Sequence, residues 1–345
     1  MLNPALEKLD EFPFDRLRSL LDPLKPPQGL EPLMLSIGEP KHAPPPMVAE
    51  ILNARKAGWG KYPGVDGTPE FRRAVADWLA QRYGVAHDLI DPDTQILPVA
   101  GTREALFMIG QVVVARRKNA QRPVVLVPNP YYHVYSAMPR LSSADPVFVP
   151  ATEDSGFLPD FTTVAPEILE RTALAYFCSP SNPQGAVADV EALKRAIALA
   201  RKYDFILAVD ECYSEIYVGD PPPGALKACA EMGKGLDNVV IFNSLSKRSS
   251  VPGLRSGFVA GPSDIMKVFR HLRNYSAAGV PLPIIEASTA LWREESHVAE
   301  SRALYRAKFE AAQKILGPNI SASPWFMIWP PPPWRWRGLL RSCKS

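Results

Sequence analysis

Residues 243–257, NSLSKRSSVPGLRSG, follow the apolar run VVIF (239–242) and place a lysine among small hydroxyl residues. Lys247 comes where a strand is expected to end, and Arg255 stands eight residues further on. A surface lysine needs no such setting, so the stretch is either a solvated turn or a place where the amine does chemistry. An amine attacks carbonyl compounds when burial and neighbouring cations lower its pKa, and Arg248 and Arg255 are candidates for those cations.

The composition is that of a soluble globular protein. The chain has 345 residues, 46% hydrophobic and 22% charged, which suffices for one large α/β domain or for a large and a smaller domain. The net charge is +3 and basic residues are spread along the chain, so nothing favours nucleic acid. No apolar stretch approaches the roughly 20 residues of a membrane span, and the N-terminus lacks the apolar core of a secretory signal. We therefore expect a cytoplasmic protein that binds neither membrane nor nucleic acid, and the spacing of its cysteines predicts no metal site.

Short apolar runs alternate with helical patterns along the chain. Residues 69–83, PEFRRAVADWLAQRY, begin with proline and repeat apolar side chains at helical spacing, as do residues 101–117 and 187–203. Six short apolar runs accompany these segments, and the last five are rich in strand-forming residues: QILPVA (95–100), VVLVP (124–128), TALAYFCSP (172–180), FILAVDE (205–211), VVIFNSLS (239–246) and SGFVAG (256–261). The alternation predicts an α/β fold with a largely parallel sheet covered by helices on both faces.

Polar residues follow four of these predicted strands. Gly101 and Thr102 come after the first run, Asn182 after the third, and Lys247 after the fifth, while Asp210 closes the fourth. Ligands of such sheets bind beyond the carboxyl ends of the strands. The four segments therefore predict one site at one edge of the sheet.

Each of these residues also has an ordinary structural interpretation. Thr102 could be only a helix N-cap, although a Gly-Thr step before a helix also leaves backbone N–H groups for an anion. Asp210 could be a rim residue or the partner of a buried cationic nitrogen. Turn propensity alone would explain Asn182, and core packing would explain Tyr131 and Tyr132. Neither GxGxxG nor GxxxxGK[ST] is present, so a nicotinamide or P-loop nucleotide site has little support.

Lys247 decides between these interpretations. A lysine that bonds to a carbonyl, an aspartate for a pyridinium nitrogen, an aromatic plate and a phosphate cup together make a pyridoxal phosphate site. The cup would be built from the Gly-Thr step, from serines such as Ser244 and Ser246, and from Arg255.

With these residues in view, the chain resembles the fold-type I pyridoxal phosphate enzymes of the class I/II aminotransferase family. SLSKRSSVPGLRSGFVAG (244–261) is similar to the lysine signature of that family. SPSNPQG (179–185), DECYSEIY (210–217) and YPGVDGTPEFR (62–72) match in the expected order and spacing. The resemblance covers roughly residues 10 to 320. It implies a large domain with a mostly parallel mixed sheet between helices, and a small C-terminal domain.

The resemblance also implies a role for each site residue. Lys247 would bind the cofactor covalently and move the substrate proton, Asp210 would keep the pyridine nitrogen protonated, and Asn182 and Tyr213 would hydrogen-bond the ring oxygen. Tyr132 would stack on the ring, and Gly38 would lie over the substrate, which Asn182 would also contact. The expected phosphate ligands are Gly101, Thr102, Arg103, Ser244 and Arg255, together with Tyr62, which would reach the phosphate of a neighbouring subunit in a homodimer.

Within the family, SIGEPKH (36–42), GTREALF (101–107) and the lysine segment resemble the succinyldiaminopimelate aminotransferases of lysine biosynthesis. The implied reaction transfers the amino group of glutamate to N-succinyl-2-amino-6-oxopimelate, leaving 2-oxoglutarate, and is equally allowed in reverse. Two alternatives remain: another aminotransferase or C–S β-lyase on the same scaffold, or an inactive remnant that binds the cofactor.

The last residues depart from the family pattern. We expect an N-terminal arm with part of the small domain in 1–45, a large cofactor-binding domain in 46–280, the start of the small domain in 281–325, and an aberrant tail in 326–345. The tail, rich in Pro, Trp and Arg, replaces the strand–helix alternation in which the family carries an arginine for the substrate α-carboxylate. Arg335, Arg337 and Arg341 are the substitutes that the tail offers. The expectation is an incomplete small domain.

Overall fold

The computed structural model describes residues 4–9, 11–29, 36–115 and 117–316. Their strands form one seven-stranded sheet. The strands are β1 (Ile96–Val99), β2 (Val124–Asn129), β3 (Asp145–Pro150), β4 (Thr172–Cys178), β5 (Ile206–Asp210), β6 (Val239–Ser244) and β7 (Gly257–Ala260).

The helices of the described residues include both long connecting helices and single turns. They are α1 (Pro13–Leu21), α2 (Pro46–Ala54), α3 (Pro69–Tyr83), α4 (Pro92–Gln95), α5 (Thr102–Val113), α6 (Val134–Leu141), α7 (Pro166–Leu169), α8 (Val190–Lys202), α9 (Ala225–Met232), α10 (Leu245–Arg248), α11 (Ser263–Ser276), α12 (Leu282–Arg293) and α13 (Ser296–Leu316). Short 3₁₀ turns occupy Pro4–Lys8, Lys56–Gly60, His87–Leu89, Glu153–Ser155, Phe161–Thr163 and Pro252–Leu254.

The sheet is mixed, with one reversed strand near its edge. The strand order is β1-β7-β6-β5-β4-β2-β3, and all neighbours from β6 to β3 are parallel. β7 is antiparallel to both β6 and β1. Because β7 runs the other way, its first residue lies at the edge where β1 and β6 end. The segment 245–256 therefore begins and ends at that same edge.

Local signals in the sequence account for the ends of α3. The Thr68 hydroxyl accepts a hydrogen bond from the Phe71 N–H at 3.2 Å, Pro69 is the first helical residue, and Gly84 ends the helix in the left-handed region at φ 63°. The sequence predicted this helix with the same bounds. The predicted helices 101–117 and 187–203 are confirmed with shorter bounds, as α5 and α8.

The core lies on both faces of the sheet, because consecutive strand residues point to opposite sides. In β6, Ile241 packs into one apolar layer and Phe242 into the other. The layer around Ile241 holds side chains of α3, α8, α9 and α12, and the layer around Phe242 holds those of α5, α6 and α11. The expected α/β architecture, with helices covering both faces of a mostly parallel sheet, is confirmed.

Two details differ from the sequence predictions. β3, DPVFVP, was not predicted, because two prolines interrupt its strand pattern, and the structure tolerates them at the edge of the sheet. The run VVIFNSLS was predicted as strand throughout, whereas β6 ends at Ser244 and the chain turns into α10. The aberrant tail 326–345 and its arginines lie outside the described residues. The proposed domain boundaries stay predictions.

A buried ion-pair network joins α13 to α3, one of the helices in the layer around Ile241. The Glu215 carboxylate, 3% exposed, accepts hydrogen bonds from Arg82 Nε at 2.6 Å and from Arg302 Nη1 at 2.7 Å. Arg82 belongs to α3 and Arg302 to α13, and both guanidinium groups lie over the Tyr217 ring. No helix among the described residues has the length and apolar character needed to cross a membrane.

The first prediction concerns the close pairing of β6 with β7. A Cβ at Gly257 would lie 2.5 Å from the backbone oxygen of Asn243, which a strand pair cannot easily move away. We expect Gly257→Ala to lower the free energy of unfolding by about 1–3 kcal/mol in urea titrations. Gly253→Ala is the matched control, since a Cβ there meets nothing within 4 Å and should change stability by less than about 0.5 kcal/mol. Equal stabilities of the two variants would contradict the described β6–β7 packing.

Candidate active site

The register of the sheet brings the predicted site segments to one edge. Cys178 at the end of β4 is paired with Asp210 at the end of β5, and Asp210 is paired with Phe242 near the end of β6. The turn after β4 contains Asn182, and α10 after β6 contains Lys247. The convergence expected from the sequence is therefore present, and it arises because these three strands are parallel neighbours.

The Asp210 carboxylate is buried and is held by neutral donors. Its side chain is 5% exposed; Oδ2 accepts from the Tyr135 hydroxyl at 2.7 Å and Oδ1 from the Cys212 N–H at 3.1 Å. Burial raises the pKa of Asp210, and the two hydrogen bonds oppose that rise. The Asp210 carboxylate is thus a hydrogen-bond acceptor that can pair with a cationic group of a ligand.

Tyr135 is a site residue that the sequence reasoning missed. Its ring stacks on Tyr176 with centroids 4.6 Å apart and planes 12° apart, and the Tyr176 hydroxyl donates to the Leu106 backbone oxygen at 2.7 Å. The stacking fixes the hydroxyl that holds Asp210. A signal was available, because Tyr135 follows Tyr132 by only three residues, and the two rings lie 5.7 Å apart in the structure.

Glu211, the next residue, points into the opposite layer. Its carboxylate is 1% exposed and accepts from the Tyr83 hydroxyl at 2.5 Å and from the Ala225 N–H at 2.7 Å. Burial raises the pKa of Glu211 from 4.5 to about 7, although both hydrogen bonds lower it. Glu211 therefore ties the end of β5 to α3 and α9 and takes up a proton near neutral pH.

Lys247 is half-buried and contacts the N-terminal segment. Its ammonium donates to the Gly38 backbone oxygen, and Nζ lies 5.7 Å from the centre of the Tyr213 ring. Burial lowers the pKa of Lys247, while the Cys212 thiol and the Glu39 carboxylate act in the opposite direction. The structure thus brings together Lys247, Tyr213 and Gly38, three of the residues predicted for the site.

Arg248 does not supply the cation that was expected beside Lys247. Its side chain is 1% exposed and lies between the indoles of Trp78 and Trp292, with Cζ 5.5 Å and 4.9 Å from the ring centres. It forms an ion pair with Glu295 and donates to the Leu291 backbone oxygen at 2.6 Å. The expectation was wrong, because the side chain after Lys247 points into the core, and burial is the largest cause of the lowered Lys247 pKa.

Gly101 and Arg255 make the tightest contact at this edge. Gly101 has φ 82°, in the region that favours glycine, and a Cβ there would lie 2.2 Å from Nη2 of Arg255. Arg255 itself has φ 53°, and its guanidinium donates to the backbone oxygens of Ala100 at 3.0 Å and Pro252 at 3.1 Å. The exposed guanidinium thus covers the turn at the start of α5, the end of a helix that favours an anion.

Two hydroxyls predicted as phosphate ligands have partners of their own. Thr102 Oγ1 lies 3.1 Å from Cys212 Sγ. Ser244 Oγ accepts from the Ser246 N–H at 3.1 Å and lies 3.1 Å from the Ser256 backbone oxygen, so this hydroxyl caps α10. Cys212 lies in the turn after β5, beside Asp210.

The remaining predicted residues occupy the rim. The Arg103 Nε donates to the Tyr132 hydroxyl at 2.8 Å, and burial raises the pKa of Tyr132. Asn182 is half-buried in its turn. Tyr62 is fully exposed in the segment before α3 and takes no part in the contacts described above. The structure thus groups the predicted residues around the ends of β1, β2, β4, β5 and β6, with Tyr62 left at the surface.

Comparison with known proteins assigns the family. The family model described as aminotransferase class I and II matches residues 31–317 of this chain. The chain belongs to this family. It is a pyridoxal phosphate-dependent aminotransferase, and its fold is that of the fold-type I enzymes.

Solved structures and curated proteins agree with this assignment. An aminotransferase from Neisseria meningitidis is 41% identical, with a TM-score of 0.86 over 91% of this chain and 79% of that one. The aminotransferase AspB from Helicobacter pylori is 32% identical, with a TM-score of 0.83 over 92% of this chain and 81% of that one. An LL-diaminopimelate aminotransferase from Desulforudis audaxviator is 32% identical over 80% of this chain and 68% of its own length.

The chemistry of the described residues fits the cofactor. Lys247 offers a half-buried primary amine with a lowered pKa, and Asp210 offers a buried carboxylate held by neutral donors. Gly101 and Arg255 leave a turn that lacks a Cβ and is covered by a cation, which suits a phosphate. A covalent anchor, a carboxylate for a ring nitrogen and an anion cup are the three features that pyridoxal phosphate needs.

The second prediction uses the buried carboxyl of Glu211. Its pKa is raised to about 7 in the folded protein, so the folded state keeps a proton that the unfolded state releases above about 4.5. Stability from this group is full below about pH 4.5 and is lost progressively as the pH rises from there through 7. We expect Glu211→Gln, which imitates the protonated form, to differ least from the wild type at pH 5 and to exceed its unfolding free energy at pH 8 by on the order of 1–3 kcal/mol.

Urea titrations at pH 5, 6, 7 and 8 would measure this difference. Glu167→Gln is the control, because Glu167 is exposed in α7 and its removal should leave the pH profile unchanged. A constant difference between Glu211→Gln and the wild type from pH 5 to 8 would show that Glu211 does not titrate in this range.

Proposed function

We propose that this aminotransferase transfers the amino group of glutamate to N-succinyl-2-amino-6-oxopimelate, a step of diaminopimelate and lysine biosynthesis. The observation that carries the catalytic part is the placement of the half-buried Lys247 amine beside the end of β5, where Asp210 is buried. An amine and a carboxylate at one edge of the sheet are what transamination with this cofactor requires.

Each site residue has a defined task in this proposal. Lys247 anchors the cofactor and afterwards holds the proton that leaves the substrate α-carbon, for which burial has lowered its pKa. Asp210 would keep a proton on the ring nitrogen, and the Tyr135 hydroxyl, which donates to Asp210, orients that carboxylate. When bound, pyridoxal phosphate supplies an electron-withdrawing ring that accepts the electron pair of the α-carbon.

Other residues would bind and orient. Tyr132 would pack against the ring, and Asn182 and Tyr213 would donate to the ring oxygen. Gly38, whose carbonyl accepts from Lys247, would lie over the substrate. The phosphate is assigned to the N–H groups and side chains of Gly101, Thr102, Arg103, Ser244 and Arg255.

The quaternary structure is part of the proposal. Tyr62 is fully exposed, so its hydroxyl is free to reach the phosphate site of a second copy. We propose a homodimer with shared sites, acting on small-molecule amino and oxo acids in the cytoplasm.

The substrate assignment rests on two kinds of similarity. The segments SIGEPKH, GTREALF and the lysine segment resemble the succinyldiaminopimelate enzymes. Curated relatives from Desulforudis audaxviator and Dehalococcoides mccartyi carry the name LL-diaminopimelate aminotransferase, at 32% and 29% identity. Both point to a seven-carbon diamino acid skeleton, and they differ in whether its distal amine is succinylated.

The third prediction tests the reaction. Glutamate added to the purified, cofactor-loaded protein should convert the visible absorbance of the lysine-bound cofactor into that of the aminated form. Lys247→Ala should lose the visible band and slow this half-reaction by at least about a hundredfold, because both the anchor and the proton carrier are gone. Lys202→Ala, at an exposed lysine of α8, is the control. Release of ammonia and an oxo acid without any amino acceptor would identify a lyase instead.

The fourth prediction tests the acceptor. After the glutamate half-reaction, N-succinyl-2-amino-6-oxopimelate should restore the visible band at least about tenfold faster, as kcat/KM, than the oxo acid of LL-diaminopimelate. The succinyl group adds a carboxylate and an amide, whose contacts can account for about 1.4 kcal/mol of discrimination. The opposite ranking would assign the chain to LL-diaminopimelate, and equal slowness with both would exclude this skeleton.

A further inference from the structure

A serine, a histidine and a carboxylate form a hydrogen-bonded chain directly behind the lysine turn. Ser249 Oγ lies 2.8 Å from His297 Nε2, and His297 Nδ1 contacts the Glu294 carboxylate. Ser249 follows α10, whereas Glu294 and His297 flank the start of α13. None of the tasks proposed for the cofactor site uses these three residues.

The order of donors in this chain follows from its charges. The Glu294 carboxylate requires a proton on Nδ1. Burial and the nearby Arg248 cation lower the pKa of His297 by more than Glu294 and Glu295 raise it. The imidazole is therefore neutral at neutral pH, with Nε2 as the acceptor. The Ser249 hydroxyl donates to Nε2, and Arg248 Nη1 donates to the same hydroxyl oxygen at 3.4 Å.

The arrangement resembles a hydrolytic triad, but Ser249 has no room for a substrate. Its side chain is 1% exposed and lies under the corner between α12 and α13. A nucleophile must reach an exposed bond, so Ser249 is enclosed too deeply to act as one. The hydrogen bonds therefore serve to connect two parts of the chain.

Arg248 connects the same two parts. Its guanidinium donates to the backbone oxygens of Leu291 at 2.6 Å and Glu294 at 3.3 Å, and it pairs with the Glu295 carboxylate. The two residues that follow Lys247 are thus both bonded to the corner at 291–297. This double attachment lies at the C-terminal end of α10.

The attachment matters because α10 is a single turn. One turn of helix has no stability of its own, so its geometry depends on its neighbours. Its N-terminal end is fixed by the Ser244 cap, and its C-terminal end by the bond from the Ser249 N–H to the Leu245 oxygen at 3.0 Å. Loosening Ser249 would loosen that last bond and let Lys247 move.

We propose that His297 is a positioning residue for Lys247: with Glu294 and Ser249 it fastens the lysine turn to the corner between α12 and α13. This inference rests on the proposed transamination. It implies that a movement of α13, which Arg302 and Glu215 also anchor, is transmitted to the lysine amine.

Two variants at His297 separate the hydrogen bond from the bulk of the side chain. His297→Leu removes the acceptor, whereas His297→Gln retains an amide that can accept from Ser249. We expect His297→Leu to exchange the Ser249 amide hydrogen at least about tenfold faster in cofactor-free protein. In loaded protein it should slow the glutamate half-reaction about 10- to 100-fold. His297→Gln should restore most of both, and the pH midpoint of the visible band should shift only in the leucine variant.

Controls keep the outcome clear. His87→Leu removes a histidine from an exposed pair with Asp77 and should change none of these readouts. Ser249→Ala should reproduce the effects of His297→Leu, and the double variant should add nothing further. If His297→Leu does not fold, Ser249→Ala supplies the same test. Normal amide exchange and normal rates in Ser249→Ala, beside an active wild type, would overturn this inference alone. An inactive wild type would overturn the proposed function, while the amide exchange would still decide the attachment.

Discussion

The reversed direction of β7 is the constraint on which the whole site depends. β7 lies between β1 and β6 and is antiparallel to both, so β1 and β6 run the same way and end at one edge. The segment that carries Lys247 leaves this edge from β6 and returns to it before β7, with Arg255 just before the new strand. The Lys247 amine and the Arg255 guanidinium thus lie near the two ends of the segment 245–256. Arg255 contacts Gly101, which follows β1.

Burial provides the electrostatics of this edge. The Lys247 amine and the Asp210 carboxyl are both shifted toward their neutral forms, because each has been withdrawn from water. A buried charge without a partner of opposite charge is costly. The amine and the carboxyl therefore favour a ligand that carries the complementary charges. Hydroxyl and backbone donors, such as Tyr135 beside Asp210, hold the carboxylate in place until a ligand arrives.

The sequence predicted the parts whose signals are local. The cap, proline and glycine around α3 set its ends, and apolar runs marked every strand but one. The polar residues at strand ends were also predicted, since parallel neighbours must end together. β3 was not predicted, because its two prolines interrupt the strand pattern and are tolerated only at the edge of the sheet. The direction of Arg248 could not be predicted, because its partners, Trp292 and Glu295, lie far along the chain. Tyr135 was missed although its signal is local, since it follows Tyr132 by only three residues.

The pairing of β1 with β7 also bears on how the protein is made. Ile96 is paired with Ala260, so a strand formed early in synthesis waits for a partner encoded much later. Contacts of such long sequence separation slow folding, because a large loop must close before they form. On the ribosome, β1 and the glycine turn after it remain unpaired until residue 260 has emerged. The turn proposed to hold the cofactor phosphate is therefore among the last features to assemble, and a nascent chain depends on other contacts to keep β1 from aggregating.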